Sequence, residues 1–353
     1  MRRVWAAAAI AGVLACAGAV EAQETVKVGV VLGLSGPPAI VDFGESYLQG
    51  LKLALKDHEA KNPKTKIDLI VYDDEANPQR AVSVVQRLIQ NDRASIVVGT
   101  VSSGNVLAFA PILQRASIPL VAGPAIATPI TTQFIDQKPS FIFRCSMVEK
   151  FQIDAILDWG VKTFKKIGLV HSTTGYGNVS AKEIEAGLKA RGQALVAIEA
   201  AAPGVNDLTP QMIKMRDAGA ELVLNFHESF ELIYRPMARL NYRPAIAGNW
   251  GLSSLKVEQI VGKEAIEGTA MGQALDLADP KAKSFDERMR KEYGKDYRWP
   301  VLASLGYDAS IDGIDAVSAT PAKPFSSTDH ECLDKEHVFL GVWKNGQVIR
   351  LKY

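Results

Sequence analysis

Cysteine is scarce in this 353-residue chain: only Cys16, Cys145 and Cys332 occur. That count excludes a disulfide-stapled mini-scaffold and most zinc ribbons. Neither sign of charge is in excess, since 40 Lys and Arg oppose 39 Asp and Glu. Without a basic surface, nucleic-acid binding driven by counterion release is not expected. Histidine is sparse too; His58, His171, His227, His330 and His337 lack ligand spacing and read as structural. The chain has no G-x-x-x-x-G-K-[ST] phosphate loop, no G-x-S-x-G elbow and no H-E-x-x-H helix. Its first turn, Gly33-Leu34-Ser35-Gly36, lacks the glycine spacing that a dinucleotide pyrophosphate requires. No metal and no cofactor are therefore expected. A secreted α/β hydrolase is disfavoured because it would need an activated nucleophile. Asp73-Asp74-Glu75 precedes a helix start, where carboxylates suit the positive end of the helix dipole better than they suggest a metal cluster.

Long apolar runs are confined to the N-terminus. Arg2 and Arg3 precede an apolar stretch from Val4 to Val20, and Val20-Glu21-Ala22 ends it with small residues at −3 and −1. This reads as a secretory signal, residues 1–22, because a membrane span needs roughly 20 unbroken apolar residues. Cleavage after Ala22 sends the protein to the periplasm; lipoprotein anchoring at Cys16 is the alternative. Losing Arg2, Arg3 and Glu21 leaves a net charge of 0. Cys145 and Cys332 remain, and they are read as two separate buried thiols.

What is present is alternation. Short apolar strands are expected at Val26–Leu32, Ile67–Tyr72, Ser95–Gly99 and Ile118–Ala122, with helices over 43–60, from Asn77-Pro78 onward, and over 102–116. Asn77 is an N-cap with proline in the first turn, and Ala81, Val84, Val85, Leu88 and Ile89 make the clearest helical stripe. The pattern resumes with helices at Asp154–Phe164, Tyr176–Arg191, Leu208–Ala218 and Glu228–Leu240. Strands fall between them at Ile167–Val170, Leu195–Ile198, Glu221–Leu224 and Ala245–Ala247. Continuous rather than alternating apolar strands imply sheets covered on both faces, hence parallel doubly wound sheets. There are too many strands for one sheet. A break near Pro139–Arg144 divides the chain into two similar α/β lobes with a cleft between them.

Ligands of doubly wound sheets bind beyond the carboxyl ends of the strands. Gly99–Gly104 is such a loop, with two hydroxyls opening a helix, and this suits a carboxylate; Ser102 as a plain helix cap is the alternative. Gly123–Pro129, His171–Tyr176, Asn225–Phe230 and Gly248–Trp250 follow other strands. Phe43, Tyr176, Phe226, Phe230 and Trp250 place aromatics at these loops, which an organic ligand would require.

These features resemble the type I (leucine-binding-like) periplasmic binding proteins, the solute-binding components of ABC transporters for branched-chain amino acids. The residues that carry the resemblance are Leu34-Ser35-Gly36-Pro37, Tyr72-Asp73-Asp74 before Asn77-Pro78, Val98-Gly99 with Ser102-Ser103, and Phe143-Arg144. Tyr176-Gly177, Glu267-Gly268, Gly306-Tyr307-Asp308 and Ser327-Thr328-Asp329-His330 continue it. It implies two Rossmann-like lobes joined by a hinge: an N-terminal lobe of residues 23–143 plus 273–323, and a C-terminal lobe of 144–272 plus 324–353. It further implies a ligand carboxylate held by Ser102, Ser103 and the backbone near Ala125 and Ala127, with Phe43 covering it. Tyr176, Glu228 or Ser229, and Trp250 would close from the second lobe. Glu149 falls where amino-acid binders often place an acid, and Trp250 where they place a second carboxylate. The ligand is expected to be an amino acid or an aromatic carboxylic acid, delivered by a monomer to an ABC permease; a sensing receptor is the alternative. The short connection at Thr320–Pro324 departs from the family pattern.

Overall fold

A computed structural model describes residues 24–297, 299–309, 325–326 and 329–353. The signal segment 1–22 and the short connection at 320–324 lie outside the described residues.

The first lobe is built on β1 (Glu24–Leu32), β2 (Thr65–Asp73), β3 (Ile96–Gly99), β4 (Leu120–Ala122) and β5 (Ile142–Arg144). They form a parallel sheet in the order β2-β1-β3-β4-β5. Its crossovers are α1 (Pro38–Lys61), α2 (Pro78–Arg87), α3 (Ser103–Ala116) and the single turn α4 (Pro129–Thr132). The helix expected from Phe43 begins at Pro38, because a proline without an N–H is harmless in a first turn. Asn77 caps α2 by accepting from the Arg80 amide at 2.9 Å. The stripe read from the sequence is buried at Ala81, Val84, Val85 and Leu88 against Val31 and Val97.

The second lobe begins with α5 (Glu149–Thr163) and continues through β6 (Ile167–Ser172), α6 (Gly175–Ala190), β7 (Ala197–Ala201), α7 (Thr209–Asp217) and β8 (Leu222–Phe226). Then follow α8 (Arg235–Arg239), β9 (Ala245–Gly248), α9 (Leu255–Val261), α10 (Lys263–Ile266) and β10 (Ala270–Gln273). The expected single helix over 228–240 is broken into a 3₁₀ turn, Phe230–Ile233, and α8. Pro236 is the reason, since inside a continuous helix its ring would clash with the Leu232 carbonyl and remove a hydrogen bond.

The chain then returns to the first lobe for α11 (Pro280–Tyr293) and α12 (Pro300–Asp308). α12 packs backbone to backbone on α1: a Cβ at Gly50 would stand 1.8 Å from the Ala303 carbonyl oxygen, and one at Gly306 2.0 Å from that of Tyr47. Glycine at both positions is what permits that approach. The C-terminal hairpin of β11 (Phe339–Lys344) and β12 (Gln347–Arg350) adds antiparallel strands to the second sheet, whose order is β12-β11-β10-β9-β8-β6-β7. Lys344 pairs with Gln347, and Asn345 and Gly346 both take positive φ, as a two-residue hairpin turn requires.

Residues 330–332 run beside β5: the Arg144 amide donates to the His330 carbonyl at 2.8 Å, and the Cys332 amide to the Arg144 carbonyl at 3.0 Å. This part of the region 324–353 therefore pairs with the first sheet before the chain enters the second. Cys145 and Cys332 are two unbridged buried thiols, as read, but the same pairing makes them neighbours. Both are buried, and their sulfurs are 2.6 Å apart.

Candidate functional site

Each sheet has one switch point, between β1 and β3 in the first lobe and between β6 and β8 in the second, where successive crossovers leave on opposite faces and open a crevice. The two crevices face one another across a cavity of about 280 Å³. Its lining comes from the carboxyl ends of eight strands. The first lobe contributes Pro37, Ile40 and Phe43 after β1, Glu75 and Ala76 after β2, Val101, Ser102 and Ser103 after β3, and Pro124 and Ile126 after β4. The second contributes Thr174 and Tyr176 after β6, Pro203 and Gly204 after β7, Glu228 and Phe230 after β8, and Asn249 and Trp250 after β9. A second cavity of similar volume lies within the first lobe. It is almost wholly apolar and lies away from the crevice between the lobes, so the interlobe cavity is the candidate site.

Ser102 caps α3 by accepting from the Asn105 amide at 3.4 Å, which leaves its hydroxyl proton to donate into the cavity. The first-turn amides of Ser103 and Gly104 have no partner within the helix. With the helix dipole, they make this end attractive to an anion. Ser103 is spent differently. Its Oγ accepts from the amides of Ile126 at 3.2 Å and Ala127 at 3.1 Å.

The loop over 125–127 is held from every side. The Ala125 amide donates to the Thr100 carbonyl, and the Ala125 carbonyl accepts from Ser146 Oγ. Arg144 Nη1 donates to the carbonyls of Ile126 and Ala127, both at 2.8 Å. Its other donors go to Glu331, bidentate at 2.6 Å, and to Thr131, so all five guanidinium donors of this fully buried arginine are used. The expected backbone carboxylate site at Ala125 and Ala127 is thereby corrected: both amides are engaged inside the protein, and neither residue lines the cavity.

The second lobe supplies opposite polarity. Glu228 Oε1 accepts from Thr174 Oγ1 at 2.6 Å. Thr174 has one proton and gives it to the carboxylate, so Ser172 must donate to Thr174 across 2.7 Å. Among the described residues, Glu228 Oε2 is buried and has no hydrogen-bond partner. Among the described residues, no lysine, arginine or histidine lines the cavity, whereas Glu75 and Glu228 do. Trp250, expected where amino-acid binders place a second carboxylate, does line the cavity. β8 and β9 are neighbouring parallel strands, so Glu228 and Trp250 emerge side by side and both reach the cavity.

Glu149 stands behind the cavity rather than in it. Its carboxyl accepts from Ser180 at 2.9 Å and Gln152 at 2.6 Å, and Gln152 in turn accepts from the Trp250 amide at 3.2 Å. Burial pushes Glu149 up to about 8, against which the hydrogen bonds from Ser180 and Gln152 act only in part. Tyr176, raised by its own burial and the charge of Glu149, accepts from Asn249 at the cavity wall. Ser229 does not line the cavity, its amide donating to His227 Nδ1, and Phe226 lies within β8 against Tyr176.

Of the residues singled out from the sequence, the cavity brings together Phe43, Ser102, Ser103, Tyr176, Glu228, Phe230 and Trp250. It does not gather Ala125, Ala127, Glu149, Ser229 or Phe226. Glu75 was read only as part of a helix start, and Thr174 and Asn249 only within their loops, although all three lie within two residues of a strand end, the signal that could have singled them out.

Two α/β lobes facing one small cavity through the carboxyl ends of their strands define a two-lobed solute-binding protein. The chain belongs to the periplasmic binding protein family, whose pattern matches residues 25–329. Among its relatives, Leu/Ile/Val-binding protein homolog 3 of Brucella melitensis is 26% identical over 306 residues, covering 85% of this chain and 81% of the relative. The Leu/Ile/Val-binding protein of Escherichia coli K12 is 24% identical over 248 residues, 69% of this chain and 66% of its own. The fold is shared with a type 1 periplasmic binding protein of Bordetella pertussis, with TM-score 0.82, 23% identity and 93% and 100% of the two chains covered. It is shared also with a Rhodopseudomonas palustris solute-binding protein solved with 4-hydroxybenzoate, with TM-score 0.76, 19% identity and 94% and 96% covered. The protein is thus a periplasmic solute-binding protein of the leucine-binding type, and the family implies a periplasmic location.

Proposed function

We propose that the protein captures a zwitterionic amino acid with an apolar or aromatic side chain and presents it, enclosed between the lobes, to an ABC permease. The observation that carries this reading is the Oε2 of Glu228, unpartnered among the described residues, in a cavity that no described cationic residue lines. A buried carboxylate oxygen left unpaired is costly, and a ligand ammonium would satisfy it. Opposite it, Ser102 and the first-turn amides of α3 suit the ligand carboxylate. Phe43, Tyr176, Phe230 and Trp250 surround the space between with rings. Export by cleavage after Ala22, a monomeric state and hinge motion near Arg144 and Gln273 belong to the same reading; the third expected hinge, Lys323-Pro324, lies outside the described residues. The closed form is then favoured by contacts made with both lobes at once.

Titration calorimetry against apolar and aromatic L-amino acids and against hydroxybenzoates tests it. Micromolar binding, about 8 kcal/mol, is expected from one or more of the amino acids. Binding confined to the benzoates would favour the second reading, an aromatic carboxylic acid, for which the four rings speak. Heat from neither panel would sink both.

A further inference from the structure

We propose that Cys145 and Cys332 form a disulfide in the exported protein, tying the first segment between the lobes to the third. Cys145 directly follows β5, where the chain leaves the first sheet for α5, and Cys332 lies on the returning segment that runs beside β5. The hydrogen bonds on either side of Arg144, to His330 and from Cys332, set these two segments in parallel register. That register places the cysteines as lateral neighbours, within the reach that a disulfide demands. The bidentate Arg144–Glu331 pair, one residue earlier on each segment, fixes the same alignment. Both cysteines are buried, at 1% and 0% exposure, with their sulfurs in contact. The periplasm is an oxidising compartment, in which such a pair is expected to be bridged.

The neighbouring Cys332 and burial raise the Cys145 thiol well above its ordinary range, so the folded protein offers little thiolate to an outside reagent. The bond therefore forms during folding, while the segments are still accessible. One cysteine thiolate attacks the disulfide of a periplasmic thiol oxidant and forms a mixed disulfide. The second thiolate then displaces the oxidant, which leaves as a dithiol carrying the two electrons; the two cysteine protons pass to solvent and from it to the departing thiolates. The bridge closes a loop that contains α5 to β10 of the second lobe together with α11 and α12, which constrains the unfolded chain strongly.

The full chain, exported with its own leader, should be recovered from the periplasm, unfolded without reductant in the presence of a maleimide, and mapped by peptide mass spectrometry. A linked Cys145–Cys332 peptide is expected, replaced by two alkylated peptides only after reduction. Two separately alkylated peptides without reduction would overturn the proposal. The leaderless chain, refolded from denaturant in a glutathione redox buffer, should give the same linked peptide whatever its route of export. Failure there would overturn the pairing independently of compartment. Cys145→Ser and Cys332→Ser should each lower the melting midpoint of the oxidised protein by roughly 5 °C. Reduction before refolding should bring the wild type to the same value, and a wild type indifferent to reduction would count against the bridge.

Discussion

Phe43, on α1 of the first lobe, lies nearly parallel to Phe230, after β8 in the second, with ring centroids 6.1 Å apart and planes inclined by 21°. Trp299 meets Phe43 edge-on at 4.2 Å and donates its indole N–H across the lobes to Ser253 Oγ at 3.1 Å. A Cβ built on Gly175, at the start of α6, would come within 3.4 Å of the Gly104 Cα on α3. The lobes therefore touch around the cavity.

Phe43→Ala should weaken ligand binding without unfolding the protein. It removes one partner of an aromatic contact worth about 1 kcal/mol, together with apolar area against the ligand. A 5- to 50-fold increase in Kd, about 1–2.3 kcal/mol, is expected by calorimetry, together with a lower melting temperature because the buried ring also packs on Phe230 and Trp299. An unchanged Kd would show that the ring packs only against its protein neighbours.

Glu228→Gln keeps the shape of the side chain and its bond from Thr174 but removes the charge that faces the cavity. Hydrogen bonds to charged groups are worth about 1.5–3 kcal/mol, so affinity for an amino acid should fall by one to two orders of magnitude. Affinity for a benzoate should hold or rise. Side-by-side titration of the two ligand classes reads the difference directly.

Glu149 predicts a pH dependence of stability. Its carboxyl is raised by burial from 4.5 to about 8 in the folded protein, so folding favours the neutral form. The stabilising contribution is fully present below pH 4.5 and is lost as pH rises toward 8, with a slope of about 1.4 kcal/mol per pH unit in that window. Glu149→Gln, already neutral, should flatten this fall. Urea unfolding at pH 5, 6.5 and 8 would reveal it, and parallel profiles for the two proteins would refute the assignment.

Ser103→Ala should cost stability more than its size suggests. The hydroxyl is the acceptor for two amides of the 125–127 loop, and its removal strands both in a buried place. About 1–3 kcal/mol for leaving buried donors unsatisfied is expected as a lower urea midpoint with an unchanged slope. Cysteine, a far weaker acceptor, should not rescue it, whereas threonine should in part.

The fold was largely legible in the sequence because its signals are local. Asn77-Pro78 followed by the stripe from Ala81 to Leu88 carries a cap, a permitted proline and a buried face within a dozen residues, and each formed as read. Asn345-Gly346 specified its turn in the same way. The site was legible in outline only. Ser102 and Ser103 are adjacent and chemically alike, yet one faces the cavity with a proton to give and the other is consumed by a loop more than twenty residues away. No spacing rule separates them. Glu149 and Glu228 present the same contrast: one is enclosed by Ser180 and Gln152, the other keeps a bare oxygen at the cavity.

By itself the sequence determined the alternation of strand and helix, the burial of both sheet faces and hence two lobes with loops gathered at strand ends. Those follow from periodicity and backbone preference, which act over a few residues. Only the tertiary structure decided which polar groups in those loops remain available to a ligand, and that Cys145 and Cys332, 187 residues apart in the chain, are neighbours. Hydrogen-bond capacity is finite, and the partners that consume it arrive from distant segments whose positions are set by packing.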